Sequence, residues 1–253
     1  MKSADDLIIR PSPTPFTQTY KLFPNLINRP PTSIVLIREV TVGEYPTSVC
    51  QYKGFTYVGH DEGSVYRVDE AGNVDNNFIK PGNRFISGIA AHQYRLYILM
   101  YNPGPSTGHC VIVYDLLLEG KRCHSWNIDD RESSFYRVFA VSGDSVIIAN
   151  RPKKEILLFT LTGVLMRTVK CELLSKTGVY LTQLGPNSIL VSNSNIQPKI
   201  FKINLENGDV EWQSQGGTIA NPTGITAYCQ DYSLVTTERT NQTKVWIINH
   251  VTG

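Results

Sequence analysis

This sequence of 253 residues lacks several common signals, and each gap excludes a class of protein. No segment repeats apolar residues at the three-to-four-residue interval of an amphipathic helix, so a helical bundle is excluded. No apolar run approaches the roughly 18–20 residues that a membrane-spanning helix needs. Cysteines are few and unpaired by spacing: Cys50, Cys110, Cys123, Cys171 and Cys229 are odd in number and form no Cys-x-x-Cys. Reduced thiols in an intracellular protein fit that pattern better than a disulfide framework or a zinc site. Net charge is also scarce, at +2 from 24 basic and 22 acidic side chains. A nearly neutral chain has no bulk attraction to nucleic acid or to membranes. Gly-x-Ser-x-Gly, a Gly-Lys-Ser/Thr phosphate loop and Gly-x-Gly-x-x-Gly are all absent, which argues against several common enzyme classes.

The first residues, Met1-Lys2-Ser3-Ala4-Asp5-Asp6, carry two acids where a secretory signal has its apolar region, so a cytoplasmic location is expected. Asn241-Gln242-Thr243 is a formal glycosylation sequon and is read as chance in that setting. Residues 1–32 hold six of the fourteen prolines. Proline blocks both helix and interior strand, so this segment reads as an extended proline-rich arm.

From Ser33 onward the chain is a series of short apolar strands punctuated by Gly, Pro, Asn and Asp. Five segments share one form, an apolar strand followed by a polar residue and a glycine turn. They begin at Val65, Val111, Ile156, Ile200 and Val245, separated by 46, 45, 44 and 45 positions. The glycines that close them are Gly72, Gly120, Gly163, Gly208 and Gly253. A period near 45 suits one blade of four antiparallel strands. Inner strands centre on Val49, Ile89, Phe139, Leu181 and Ile225; second strands come next at Phe55–Val58, Leu96–Met100, Val146–Ala149, Ile189–Ser192 and Leu234–Thr237.

The expected fold is therefore all-β, a β-propeller over residues 33–253 with five blades, six being the alternative. Four outer strands accompany five inner triplets, and Ser33–Val42 is an outer strand with no triplet before it. Pairing of strand 33–42 with strand 245–249 would close the ring and remove two open sheet edges. Trp126, Trp212 and Trp246 read as packing between blades.

Gly143-Asp-Ser-Val-Ile-Ile-Ala-Asn, Lys154-Glu-Ile-Leu-Leu-Phe-Thr-Leu-Thr-Gly163 and Asn221-Pro-Thr-Gly-Ile-Thr-Ala with Lys244-Val-Trp-Ile resemble the NHL repeat. The usual Asp after the second strand is replaced by His60, Asn150, Asn193 and Glu238. The usual Arg before the third strand is replaced by Ser64, Cys110, Glu155, Lys199 and Lys244. NHL propellers commonly end TRIM-type ubiquitin ligases and bind substrates or RNA there. The resemblance implies the recognition part of such a protein, without the RING or B-box that carries ligase chemistry.

A propeller binds through the loops entering its inner strands and those joining its second and third strands, and loops on a rigid scaffold carry function. Tyr45, Phe85, Tyr101, Phe135 and Tyr136 fall in these loops and offer aromatic anchors. Arg84, Arg151, Lys153, Lys154, Lys199 and Arg239 fall there too, with Lys80, as a basic rim. Over all ten loops, however, nine bases face nine acids. Net neutrality weakens an RNA reading, because RNA affinity draws heavily on phosphate neutralisation. A mixed charged surface with aromatic anchors suits a protein or peptide partner.

The expectation is a non-catalytic, monomeric recognition module with no cofactor and no metal. RNA binding and a calcium-dependent propeller hydrolase are the alternatives. The hydrolase would place Asn150, Asn193 and Glu238 around a calcium ion, whereas the plainer reading makes them turn residues bonded to backbone. His60 and His109 lie in loops of adjacent blades, but no carboxylate–His spacing supports a metal there.

Overall fold

The computed structural model describes residues 8–9, 18–19, 38–43, 45–82, 84–102, 108–128, 139–174, 179–185, 187–193, 199–214, 219, 222–227, 232–239 and 242–249. Every element among them is a strand. In chain order these are β1 (Ile8–Ile9), β2 (Gln18–Thr19), β3 (Arg38–Glu39), β4 (Pro46–Tyr52), β5 (Phe55–His60), β6 (Val65–Val68) and β7 (Val74–Ile79). Next come β8 (Phe85–His92), β9 (Arg95–Asn102), β10 (Gly108–Asp115), β11 (Lys121–Ile128), β12 (Phe139–Ser142), β13 (Ser145–Asn150), β14 (Glu155–Thr160) and β15 (Leu165–Lys170). The last are β16 (Val179–Gly185), β17 (Ser188–Asn193), β18 (Lys199–Asn204), β19 (Val210–Gln213), β20 (Pro222–Ala227), β21 (Tyr232–Arg239) and β22 (Gln242–Asn249).

Four sheets consist wholly of consecutive strands: β4 to β7, β8 to β11, β12 to β15 and β16 to β19. These are four propeller blades, where the repeat predicts five. The fifth triplet, β20 to β22, takes its outer strand from the far N-terminus, in the order β1-β22-β21-β20. The closing partner thus differs from the expected Ser33–Val42. Ile8 lies opposite Lys244 and Ile9 opposite Thr243, while Arg38 and Glu39 pair with Thr19 and Gln18. The physical reason lies just beyond Glu39. Val40 and the buried Val42 pack with Val58, Val68 and Tyr66, so the end of that segment is committed to the core of the first blade. The pair Ile8–Ile9 is β-branched and suits an exposed strand edge equally well.

The chain divides into two compact units, residues 40–168 and Met1–Glu39 with Val169–Gly253. Within the first unit, strand alternation builds the core. Leu96, Ile98 and Met100 of β9, with Cys110, Ile112 and Tyr114 of β10, join Tyr57, Val65 and Ile79 of the preceding blade. The intervening Tyr97, Leu99, Val111 and Val113 turn the other way and join Val146, Ile148, Leu157 and Phe159 of the next blade. Successive side chains on a strand point to opposite faces, so one apolar run serves two interfaces. This is why β5, β13 and β17 are buried along nearly their whole length. Each such leucine or isoleucine contributes roughly 1.5–3 kcal/mol. In the second unit, Leu190, Ile200, Ile219 and Val235 form the matching core.

The turn glycines are specified by space as well as by backbone. Gly72, Gly120, Gly163 and Gly208 all have positive φ, between 76° and 93°. A Cβ on Gly163 would lie 2.4 Å from the Trp126 ring, and one on Gly208 2.7 Å from the Lys170 carbonyl oxygen. These two turns therefore seat their backbone on the outer strand of the blade before.

Candidate partner-binding site

In residues 40–168, the connections entering inner strands and the hairpins between second and third strands are locked together. His60 N donates to Ser64 O at 2.9 Å and Gly63 N to His60 O at 3.1 Å, closing the hairpin after β5. Asp61 N donates to Tyr45 O at 3.3 Å, tying that hairpin to the segment entering β4. A Cβ on Gly63 would sit 2.3 Å from the Arg84 carbonyl oxygen, so the hairpin also lies against the segment entering β8. A bulge falls near the start of both inner strands, at Pro46/Ser48 and at Ile86/Gly88. Such bulges re-aim the chain as it enters a sheet.

On this frame stand four of the expected site residues. Tyr45 holds a left-handed φ of 55° and is 69% exposed. Phe85 is 44% exposed and lies opposite Tyr101 across β8 and β9. Tyr101 packs against His109, the rings tilted and their centroids 5.1 Å apart. Arg84 Nη1 donates to Cys110 Sγ at 3.0 Å. His60 is fully buried, with its ring 4.1 Å from that of Tyr66. The two histidines therefore act within the wall of the site, beneath the aromatic side chains that reach solvent.

The next hairpin of the unit carries Arg151, Lys153 and Lys154. Lys154 N donates to Arg151 O at 3.1 Å and Lys153 N to Asn150 Oδ1 at 3.4 Å, so Asn150 caps this turn. Lys153 and Lys154 are exposed, but Arg151 is only 6% exposed. Its guanidinium belongs to the interior, where a basic rim would have it solvated. In the other unit, half-buried Lys199 pairs with Asn193, and Asn193 Nδ2 donates to Leu173 O at 2.8 Å. The two asparagines thus bond to backbone in the manner of turn and strut residues. Glu238 is out of step with them: Lys244 lies opposite Thr237, as Lys199 lies opposite Asn193 and Glu155 opposite Asn150. Arg239 ends β21 opposite Gln242. Phe135 and Tyr136 lie outside the described residues.

The opposite end of the same strands holds a cluster that the repeat pattern alone does not single out. Lys53 Nζ sits 3.8 Å from the Tyr94 ring centroid and bonds to the Tyr94 hydroxyl. Tyr52 meets Tyr94 edge-on at 5.8 Å, and its hydroxyl accepts a hydrogen bond from Tyr94 N at 3.1 Å. Arg67 lies over Phe78 at 4.3 Å and over Phe55 at 5.3 Å. It pairs with Glu119 at 2.8 Å and with Asp75 at 3.4 Å. Beneath it, burial pushes the Tyr57 hydroxyl up to about 12, against a downward pull from Arg67. The sequence signal for this cluster is a tyrosine at each of two successive inner hairpins, Tyr52-Lys53-Gly54 and Gln93-Tyr94-Arg95.

No protein-family model matches the chain. No curated protein matches it in sequence. Solved structures do resemble it. The glutaminyl cyclase of Myxococcus xanthus is 12% identical, with a TM-score of 0.55 over 81% of this chain and 91% of that one. BamB from Moraxella catarrhalis is 14% identical, with a TM-score of 0.52 over 81% of this chain and 58% of that one. A protein of unknown function from Bacteroides caccae is 12% identical, with a TM-score of 0.65 over 86% and 82%. At such identities the likeness concerns fold alone. The chain has the β-propeller fold.

Proposed function

We propose that this propeller is a non-catalytic recognition module that takes a protein or peptide partner on the loop end of its blades. The observation that carries the reading is the display of Tyr45 and Phe85, 69% and 44% exposed, on connections held by the Asp61–Tyr45 and Gly63–Arg84 contacts. Exposed aromatic side chains on a rigid frame lose little conformational freedom on binding, which makes them effective anchors. Arg84 supplies charge next to Phe85 in the chain, Lys153 and Lys154 add charge on a hairpin of another blade, and Tyr101 lies opposite Phe85.

The same reading takes residues 1–32 as an arm and 33–253 as the propeller, with the arm lending Ile8–Ile9 to the fifth sheet. The NHL-like repeat suggests the substrate-recognition part of a ubiquitin-ligase-type protein, and that step rests on the repeat resemblance alone. Cys50, Cys110, Cys123 and Cys171 are free thiols among the described residues, which suits a reducing cytoplasm.

A paired selection tests the proposal. A random peptide library and a pool of single-stranded RNA are each offered to the wild-type chain and to a Tyr45→Ala/Phe85→Ala variant. Peptides retained by the wild type and lost by the variant are the expected result. Tight RNA binding that weakens steeply with salt would overturn it.

A further inference from the structure

The turns between third and fourth strands carry a polar cap in all four blades, but three of them differ from the other in the residues at the tip. In each of the three, a polar side chain at the strand end receives backbone N–H groups: Asp69 from Asn73 at 2.8 Å, Thr160 from Val164 at 3.0 Å, Asn204 from Glu206 at 2.8 Å. The exposed tips are Glu70 and Ala71, Thr162 with Val164 beyond the glycine, and Glu206 and Asn207. The second blade has Asp115-Leu116-Leu117-Leu118-Glu119-Gly120 instead. Leu116 packs inward against the core, but Leu117 is 66% and Leu118 59% exposed. This apolar tip is ordered: Asp115 Oδ1 accepts from both Leu117 N and Leu118 N at 2.8 and 3.2 Å.

A chain of contacts joins the tip to the aromatic cluster in one continuous patch across two blades. Leu116 N donates to Tyr94 O at 2.8 Å, Tyr94 holds Lys53, and Glu119 holds Arg67 over Phe55. Phe55 is itself 37% exposed and Tyr94 39%. The two cations of the patch differ. Arg67 has Glu119 and Asp75, whereas no carboxylate among the described residues is paired with Lys53, whose partner is the Tyr94 hydroxyl. The patch therefore offers apolar contact beside one positive charge fixed in place and open to a carboxylate.

We propose that Lys53, Tyr94, Leu117 and Leu118 form a second docking surface, whose occupant is a segment of a partner protein carrying a carboxylate beside apolar side chains. This rests on the recognition-module reading and adds a surface to it. Charge selects this occupant over a membrane or RNA. Lys53, Arg67, Arg95, Lys121 and Arg122 at this end are balanced by Asp69, Glu70, Asp75, Asp115 and Glu119, so no net field draws phosphates. Because turn and lysine are already held, little ordering remains to be done on binding.

A random peptide library displayed on phage is panned against the wild-type chain, Leu117→Ser/Leu118→Ser, Lys53→Glu and Lys53→Arg, each checked for an unchanged melting curve. Wild type is expected to retain peptides with Asp or Glu next to Leu, Ile or Phe. Binding should weaken about tenfold or more in the leucine variant and in Lys53→Glu, and persist in Lys53→Arg. Peptides that bind all four chains equally, and are lost by Tyr45→Ala/Phe85→Ala, would overturn the second surface while leaving the recognition reading intact. Retention of no peptide by the wild type would sink both. Leucine-dependent sedimentation with phosphatidylcholine–phosphatidylserine vesicles would replace the proposed partner with a lipid surface and overturn the proposal.

Discussion

The two ends of the strands in residues 40–168 are built differently. At the loop end polar groups go inside: His60, His109, Asn150 and Arg151 are all 6% exposed or less. At the turn end apolar groups come outside, with Leu117, Leu118, Tyr94 and Phe55 all more than a third exposed. Connection length does not separate the two ends, since residues 61–64 and 151–154 are no longer than the turn 116–120. At the loop end the backbone is buried, and buried backbone needs polar side chains to satisfy it, as Asn150 does for Lys153 N. At the turn end one polar cap takes up the N–H groups, as Asp115 does, and the tip side chains face solvent. Anchoring and display are thus distributed unequally over a single repeat.

The largest effects should come from the glycines that set backbone against backbone or ring. Gly63→Ala at the loop end and Gly163→Ala at the turn end combine a positive φ with a Cβ placed 2.3 Å from Arg84 O or 2.4 Å from Trp126. Each should cost about 3 kcal/mol in urea unfolding. Gly143→Ala shares the positive φ but meets nothing within 4 Å, so about 1 kcal/mol is expected. A Gly63→Ala variant as mild as Gly143→Ala would show that the loop end is not locked.

Next in size is the loss of a polar strut. Asn193→Ala leaves the Leu173 carbonyl without the donor it has at 2.8 Å and should cost about 2 kcal/mol. Asn193→Asp is expected to do no better, because a carboxylate cannot donate to that oxygen.

Much of this architecture is legible in the sequence. The 45-residue period locates β5, β9, β13, β17 and β21 within a residue or two at each end, because alternation and glycine turns are local signals. Gly72, Gly120, Gly163 and Gly208 are found for the same reason. The closing strand is not, since Ile8–Ile9 and Ser33–Val42 are both β-branched stretches, and choosing between them depends on where Val42 packs. The site is legible only as loops. Tyr45 and Phe85 are exposed, but Arg151 looks like its neighbours Lys153 and Lys154 in sequence and differs only by burial. Glu238 looks equivalent to Asn193 by spacing, but the pairing is out of step by one residue, and Thr237 is the residue opposite Lys244 as Asn193 is opposite Lys199.

A smaller effect should appear in alkali. The Tyr57 hydroxyl, pushed up to about 12 in the folded chain, has an ordinary value near 10 once unfolded. Below about pH 10 both states keep the proton and stability is unaffected. From there to about pH 12 only the unfolded state ionises, so unfolding free energy should fall with rising pH, by about 1–2 kcal/mol. Tyr57→Phe should flatten that fall. An unchanged slope would mean that the aromatic packing of the turn end is looser than its geometry indicates.

The smallest effect probes the same contrast through thiols. Cys110 lies at the loop end, 5% exposed and bonded to Arg84, whereas Cys123 lies exposed on outer strand β11. Cys171, in the other unit, is buried, and that burial pushes its thiol up. A thiol reagent attacks the thiolate and needs access to it. At neutral pH, Cys123 should therefore label first, with Cys110 and Cys171 protected until the chain unfolds. Peptide mapping after brief labelling reads out the order. Labelling of Cys123 should leave stability within about 0.5 kcal/mol, as expected for an exposed site. If Cys110 labels as fast as Cys123, the loop end opens in the folded state, and its buried polar groups are then gates for a partner instead of anchors for the frame.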